Sequence, residues 1–121
     1  MTDFHSHILP AMDDGSRSVD ESAEMLNELS GQGISRVIAT PHFYANDESV
    51  FDFLGRRREA FDKLSTVLTP DMPQVLLGAE VRYYDGISHL ADMKSLCVQG
   101  TDLFLLETLT GTIGLTICSH R

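Results

Sequence analysis

Residues 74–80, Gln-Val-Leu-Leu-Gly-Ala-Glu, decide the architecture. The run is short and apolar through its middle, which suits a strand buried on both faces, as strands of parallel sheets are. Residues 102–107, Asp-Leu-Phe-Leu-Leu-Glu, repeat that character, and 35–39, Ser-Arg-Val-Ile-Ala, are β-rich enough for another strand. Residues 2–7, Thr-Asp-Phe-His-Ser-His, form the first. Helical stretches lie between them. Ser18 and Glu21 make an S-x-x-E capping box, Met25, Leu26 and Leu29 supply an apolar face, and Gly31 and Gly33 end the helix. A longer helix runs from Glu48 to Leu68, with Leu54, Phe61, Leu64 and Leu68 on one side and Pro70 and Pro73 closing it. Strands alternating with helices predict βα units and a parallel sheet joined by right-handed crossovers. The expected class is therefore α/β, with about four parallel strands forming part of a barrel wall. Four strands are too few to close it.

Composition narrows the function. A chain of 121 residues makes one domain, and 42% hydrophobic with 22% charged residues is ordinary for a globular protein. A net charge of −9 argues against nucleic acid as a partner, because phosphate neutralisation needs clustered cations. No run approaches the roughly 18 apolar residues of a membrane span. The start, Met-Thr-Asp-Phe-His-Ser-His, lacks the basic and apolar regions of a signal peptide. Cys97 and Cys118 fit no CxxC or zinc-finger spacing, so a reduced, cytoplasmic setting is expected.

The chemistry-bearing residues collect at strand ends. Asp3, His5 and His7 stand at i, i+2 and i+4 of a strand, so all three are expected on one face, with Asp3 fixing the tautomers of two parallel imidazoles. Asp14 follows the first strand, His42 the second, Glu80 ends the third and Glu107 the fourth. In a parallel α/β architecture the C-terminal ends of the strands share one rim, where active sites are built. Six metal-capable side chains, His5, His7, Asp14, His42, Glu80 and Glu107, thus converge from segments far apart in sequence.

The motifs Asp3-Phe-His-Ser-His-Ile-Leu-Pro10, Asp13-Asp-Gly-Ser16, Ile38-Ala-Thr-Pro-His-Phe43 and Gly78-Ala-Glu-Val-Arg82, in this order, resemble the PHP (polymerase and histidinol phosphatase) domain. They are most similar to its bacterial protein-tyrosine phosphatase branch, associated with capsule and exopolysaccharide synthesis. The resemblance implies a metal-dependent phosphoesterase on a distorted barrel holding up to three divalent ions, commonly manganese. It implies His5, His7 and Glu80 for the first ion, Glu80 bridging to a second held by Glu107, and Asp14 with His42 for the third. The donor types also suit iron or zinc. The implied partner is a phosphotyrosine protein, a bacterial tyrosine kinase of polysaccharide export. Clustered ions would bind phosphate oxygens and activate water, with no cysteine nucleophile. Neither cysteine sits in a C-x5-R loop.

The resemblance extends over residues 1–107 as a partial PHP domain, and 108–121 read as a divergent tail. Thr-Leu-Thr-Gly-Thr-Ile-Gly-Leu-Thr-Ile-Cys-Ser-His-Arg is Thr- and Gly-rich without helical period, as an out-of-frame or disordered segment would be. Family members are longer, and each ion draws a further ligand from later segments without a counterpart here. Three readings follow. The first is a phosphotyrosine phosphatase. The second is an inactive truncated fragment, whose open sheet edge invites a homo-oligomer. The third is another PHP phosphoesterase, such as a histidinol-phosphate phosphatase. Arg82, just past Glu80, is within reach of a substrate phosphate. His89 and the run Arg56-Arg57-Arg58 read as surface residues, the phenylalanines 51, 53 and 61 as helix packing, and nothing brings His120 to the rim.

Overall fold

The expected strand 35–39 is followed after two residues by a further short strand, the expected strand 74–80 is divided, and these breaks determine the architecture. The computed structural model describes residues 1–13, 15–84 and 93–117, so Asp14, His89, Cys118 and His120 lie outside the described residues. Strand β1 (Thr2–Ser6) pairs in parallel with β2 (Arg36–Ala39). After Thr40–Pro41 the chain resumes as β3 (His42–Phe43) in a second sheet. The third expected strand divides. Its first half, β4 (Gln74–Leu77), pairs with β2, and after Gly78–Ala79 its second half, β5 (Glu80–Arg82), pairs with β3. Strand β6 (Leu103–Glu107) extends the second sheet in parallel with β5. The result is one sheet of order β1-β2-β4 and another of order β3-β5-β6-β7.

Pro41 explains one break, since it has no N–H to donate to a ladder. The ladder is still carried across both gaps: Thr40 N–H donates to Ser6 O, Gly78 N–H to Ala39 O and Glu80 N–H to Pro41 O, at 2.8–2.9 Å. Beside the second break, Gln99 closes the edge of β4, accepting from Leu77 N–H and donating its own N–H to Leu77 O.

The last strand is β7 (Ile113–Ile117), antiparallel to β6. The sequence left 108–121 without an element, but Ile113, Leu115 and Ile117 alternate with Gly114 and Thr116, the period of a strand. Gly111, at φ 88°, follows a turn closed by Gly111 N–H to Thr108 O. A three-residue hairpin ending in a left-handed residue needs that freedom. Residues 113–117 thus extend the second sheet, an element that the sequence reading did not place there.

Helix α1 (Val19–Gly31) begins where the capping box predicts, with Ser18 Oγ accepting from Glu21 N–H at 3.1 Å. Helix α2 (Val50–Ser65) is shorter than expected, because Ser49 caps it by accepting from Asp52 N–H. A single turn, α3 (Met93–Leu96), precedes β6. Two cores result. Under the first sheet, Val37, Ala39 and Leu77 pack with Leu26 of α1 and Ala60 and Leu64 of α2. Under the second, Phe43, Val81 and Phe104 pack with Val50 and Phe53 of α2 and Leu96 of α3. Each fully buried Leu or Phe contributes about 1.5–3 kcal/mol.

Helix α2 serves both cores, one with each end. At its middle, Arg57 is half-buried rather than solvated as the basic run suggested: it donates to Gly78 O at 2.7 Å and stands 5.6 Å from the Phe53 ring. Burial and the neighbouring Arg58 charge lower its pKa. Phe51 is 83% exposed, so it is no part of the packing. No described helix is long and apolar enough to cross a membrane.

Candidate metal centre

The site begins with an irregularity in β1. Asp3 pairs with Val37 and Ser6 with Ala39, so β1 spends three steps where β2 spends two. The extra residue is a bulge, which re-aims side chains. It puts Asp3 in step with Ser6 instead of with His5. Asp3 accordingly accepts from the backbone N–H of His5 at 3.1 Å and fixes no ring. The expectation that Asp3 shares a face with both histidines fails for this reason.

The tautomer-fixing role falls to Asp13. The loop after β1 folds back so closely that a Cβ on Gly15 would stand 2.3 Å from His7 O, and Ser16 N–H donates to that same oxygen. This fold-back carries Asp13 Oδ2 to 3.0 Å from His7 Nδ1. Asp13 also accepts from Gly15 N–H at 3.0 Å and His42 N–H at 3.2 Å. Burial works against the Asp13 charge, but the His7 hydrogen bond and the two backbone N–H groups outweigh it and hold the carboxyl at about 2. The same hydrogen bond raises the His7 pKa against the effect of burial, with the Asp13 and Glu80 charges adding to it. With its proton on Nδ1, His7 turns the free lone pair of Nε2 inward.

Glu80 is the hub. Its side chain is 1% exposed, and both carboxylate oxygens face imidazoles. Oε1 lies 2.5 Å from His5 Nε2 and 3.3 Å from His7 Nε2, while Oε2 lies 2.9 Å from His42 Nδ1. The two Nε2 atoms of His5 and His7 are themselves 3.1 Å apart. Two imidazole nitrogens and a carboxylate oxygen this close need a ring proton or a cation between them. Neighbouring ligands on an ion with bonds of roughly 2.1 Å stand about 3 Å apart, so the spacing suits a shared cation. A buried carboxylate also requires such compensation.

Three groups have the mutual distances of metal ligands: His5, His7 and Glu80; His7, Asp13 and His42; and His42, Glu80 and Glu107. Parallel pairing brings the last set together, since His42 stands beside Glu80 in register and Arg82 beside Glu107. Glu80 opens β5 rather than ending a strand, because the strand breaks before it. Arg82 Nη1 is 3.8 Å from Glu107 Oε1, its side chain 43% exposed. Of the expected residues, His5, His7, His42, Glu80 and Glu107 come together with Arg82 at the margin, and Asp14 lies outside the described residues. Asp13 was missed. The Asp-Asp tandem offered two carboxylates, and the fold-back at Gly15 decides where Asp13 points.

Aromatic stacking frames the outer side. His7 and His42 stack at 4.5 Å, and Tyr44 stacks on His42 at 5.4 Å with 13° between planes. Beyond them opens a cavity of about 270 Å³ lined by Met12, Asp13, His42, Tyr44, Asp47, Glu48 and Arg56. Arg56 is committed to Glu48, through Nε at 2.9 Å and Nη2 at 2.6 Å.

Comparisons with known proteins point the same way. The profile of the family described as capsular polysaccharide synthesis, CpsB/CapC, matches residues 1–114. The chain is 39% identical over 114 residues to the tyrosine-protein phosphatase YwqE of Bacillus subtilis, covering 88% of this chain and 42% of that protein. It is 26% identical to the tyrosine-protein phosphatase CpsB of Streptococcus agalactiae, covering 44% of that protein. It also superposes, with a TM-score of 0.60 and 33% identity, on a structure from crystallographic work on YwqE of B. subtilis and CpsB of Streptococcus pneumoniae, described as metal-dependent tyrosine phosphatases. That match covers 89% of this chain and 44% of the other. The chain spans less than half the length of these relatives.

Proposed function

The chain belongs to the CpsB/CapC family of capsular polysaccharide synthesis, and on that premise we propose that it carries the ion-binding groups of a metal-dependent phosphotyrosine phosphatase. The observation that carries this reading is Glu80, a buried carboxylate with each oxygen turned to a different set of imidazoles. A carboxylate facing two ligand sets would be a donor available to more than one ion. In our assignment His5, His7 and Glu80 would hold one ion, Glu80 and Glu107 a second, and His42 with Asp14 a third. Manganese is the ion we expect, with iron or zinc also compatible with these donors.

Bound there, such ions would supply positive charge to the phosphate oxygens and an activated water. The chain's own groups do the rest. Asp13 holds the Nδ1 proton of His7, so that Nε2 stays available as a donor atom. The imidazoles of His5 and His7 meet one Glu80 oxygen and that of His42 the other, which holds both oxygens in place. Arg82, two residues along the same strand, is our candidate for a phosphate oxygen, since Glu107 at 3.8 Å leaves its guanidinium other donors. Cys97 is buried in the second core, away from this chemistry. The groups named here all lie within residues 1–107, which we take as a partial domain. The substrate we infer is a phosphotyrosine protein, a bacterial tyrosine kinase of polysaccharide export, encountered in the cytoplasm.

The test is manganese-dependent hydrolysis of a phosphotyrosine peptide by this chain beside a His5→Ala, His7→Ala double variant. Turnover that needs the ion and vanishes in the variant supports the proposal. Equal turnover in both overturns it. Faster turnover of histidinol phosphate than of the peptide would favour the third reading. One observation favours the second: Ile113, Leu115 and Ile117 are 39%, 45% and 70% exposed on β7. A sheet face of that kind ordinarily has a cover, and a body lacking one could bind ions without turnover, alone or as a homo-oligomer. Manganese binding without hydrolysis by folded protein is the outcome that selects it.

A further inference from the structure

We propose that Tyr44 is the surface on which the aromatic ring of the substrate stacks, making it the residue that selects aryl over alkyl phosphate esters; this rests on the phosphatase reading above. Side-chain alternation through β3 sends Phe43 into the second core at 1% exposure and leaves His42 and Tyr44 on the site side. Three rings then form a column, His7 on His42 and His42 on Tyr44, with interplanar angles of 17° and 13°. The inner two rings belong to the candidate ion ligands. Tyr44 is the outermost and keeps 37% exposure.

Its backbone is held firmly. Tyr44 O accepts from Asp47 N–H at 2.9 Å and from Glu48 N–H at 3.3 Å, and Glu48 is clamped by Arg56. The ring borders the cavity of about 270 Å³, close to the lower end of small-ligand pockets at roughly 300 Å³. That cavity also carries Asp13, Asp47 and Glu48, against one arginine already paired, so its charge repels a bare phosphate. The phosphate belongs on the ion side of His42, and the part of the substrate that reaches toward Tyr44 is the uncharged group esterified to it. A flat apolar ring offers a phenyl group offset stacking worth roughly a two- to tenfold preference. An alkyl ester has no π-face to offer.

The experiment compares phenylphosphonate with methylphosphonate, two ligands that cannot be hydrolysed, by calorimetric titration of the manganese-loaded chain. We expect the unmodified chain to prefer phenylphosphonate. Tyr44→Leu should lose two- to tenfold of that preference while methylphosphonate and manganese affinities stay the same, and Tyr44→Phe should retain it. A second measurement needs no variant: in the zinc-loaded chain, phenylphosphonate but not methylphosphonate should shift the Tyr44 ring protons. An unchanged preference in Tyr44→Leu, an unmoved Tyr44 resonance, or equal weakening of both ligands together with manganese overturns the proposal. The last of these would make Tyr44 a brace for His42. Binding of both phosphonates without preference overturns this inference alone. A chain that binds neither overturns the phosphatase reading and this inference with it.

Discussion

Strands β2 and β4 differ sharply from β3 and β5, although each pair is one stretch of sequence interrupted by two residues. In the first sheet Val37, Ala39 and Leu77 face a core and no described ionisable group is buried. In the second, Phe43 and Val81 face a core, while His42, Glu80 and Arg82 alternate with them on the opposite side. The first halves of these strands therefore build structure, and the second halves divide between packing and chemistry. The division teaches where ionic groups can be accommodated: on a sheet whose other face is fully occupied by a core.

That contrast can be broken or sharpened experimentally. The largest effect should come from Phe53→Ala, which empties the second core and costs about 3–5 kcal/mol in denaturant unfolding. If that loss appeared as a separate early transition, the two sheets would be independent units. Next is Glu80→Ala, expected to weaken manganese by more than about 100-fold in calorimetric titration, since it removes the group common to two ligand sets. The metal-free protein should be unfolded no more easily, because the variant also removes a buried charge. A change confined to stability would recast Glu80 as structural. Asp13→Asn should weaken manganese by about 10–100-fold, because an amide no longer anchors the His7 tautomer. Smallest is Ser18→Ala, which removes the α1 cap on the structural side and should cost about 1 kcal/mol with manganese affinity unchanged.

The amino-acid pattern revealed much of this arrangement, and the exceptions have identifiable causes. Strands β1, β2, β4 and β6 and helices α1 and α2 were legible from their apolar periods, β3, β7 and α3 were not, and His5, His7, His42, Glu80 and Glu107 come together although His42 and Glu80 open strands rather than end them. The sheet switch was not legible, because Thr40–Pro41 and Gly78–Ala79 interrupt runs too short to show a change of partner. Pro41 was the available signal. The β1 bulge was invisible for a similar reason: an inserted residue leaves composition unchanged and alters only register. Arg57 was misread from charge, yet period could have found it. Phe53, Arg57, Ala60 and Leu64 fall on one helical stripe, so a basic residue in that row had to be buried.

That stripe gives α2 a role beyond packing. One end of the helix is embedded with β3 and β5, the other with β2 and β4, and Arg57 grips the Gly78 carbonyl where one sheet passes into the other. A rigid rod fastened at both ends and pinned at its centre ties the two halves into a single cooperative unit. Ion binding at Glu80 would then protect amide hydrogens of β4, which carries no candidate ligand, and those of β2 as well, which pairs with the β1 strand of His5. Strand β4, remote from the ion ligands, should thus register events at Glu80.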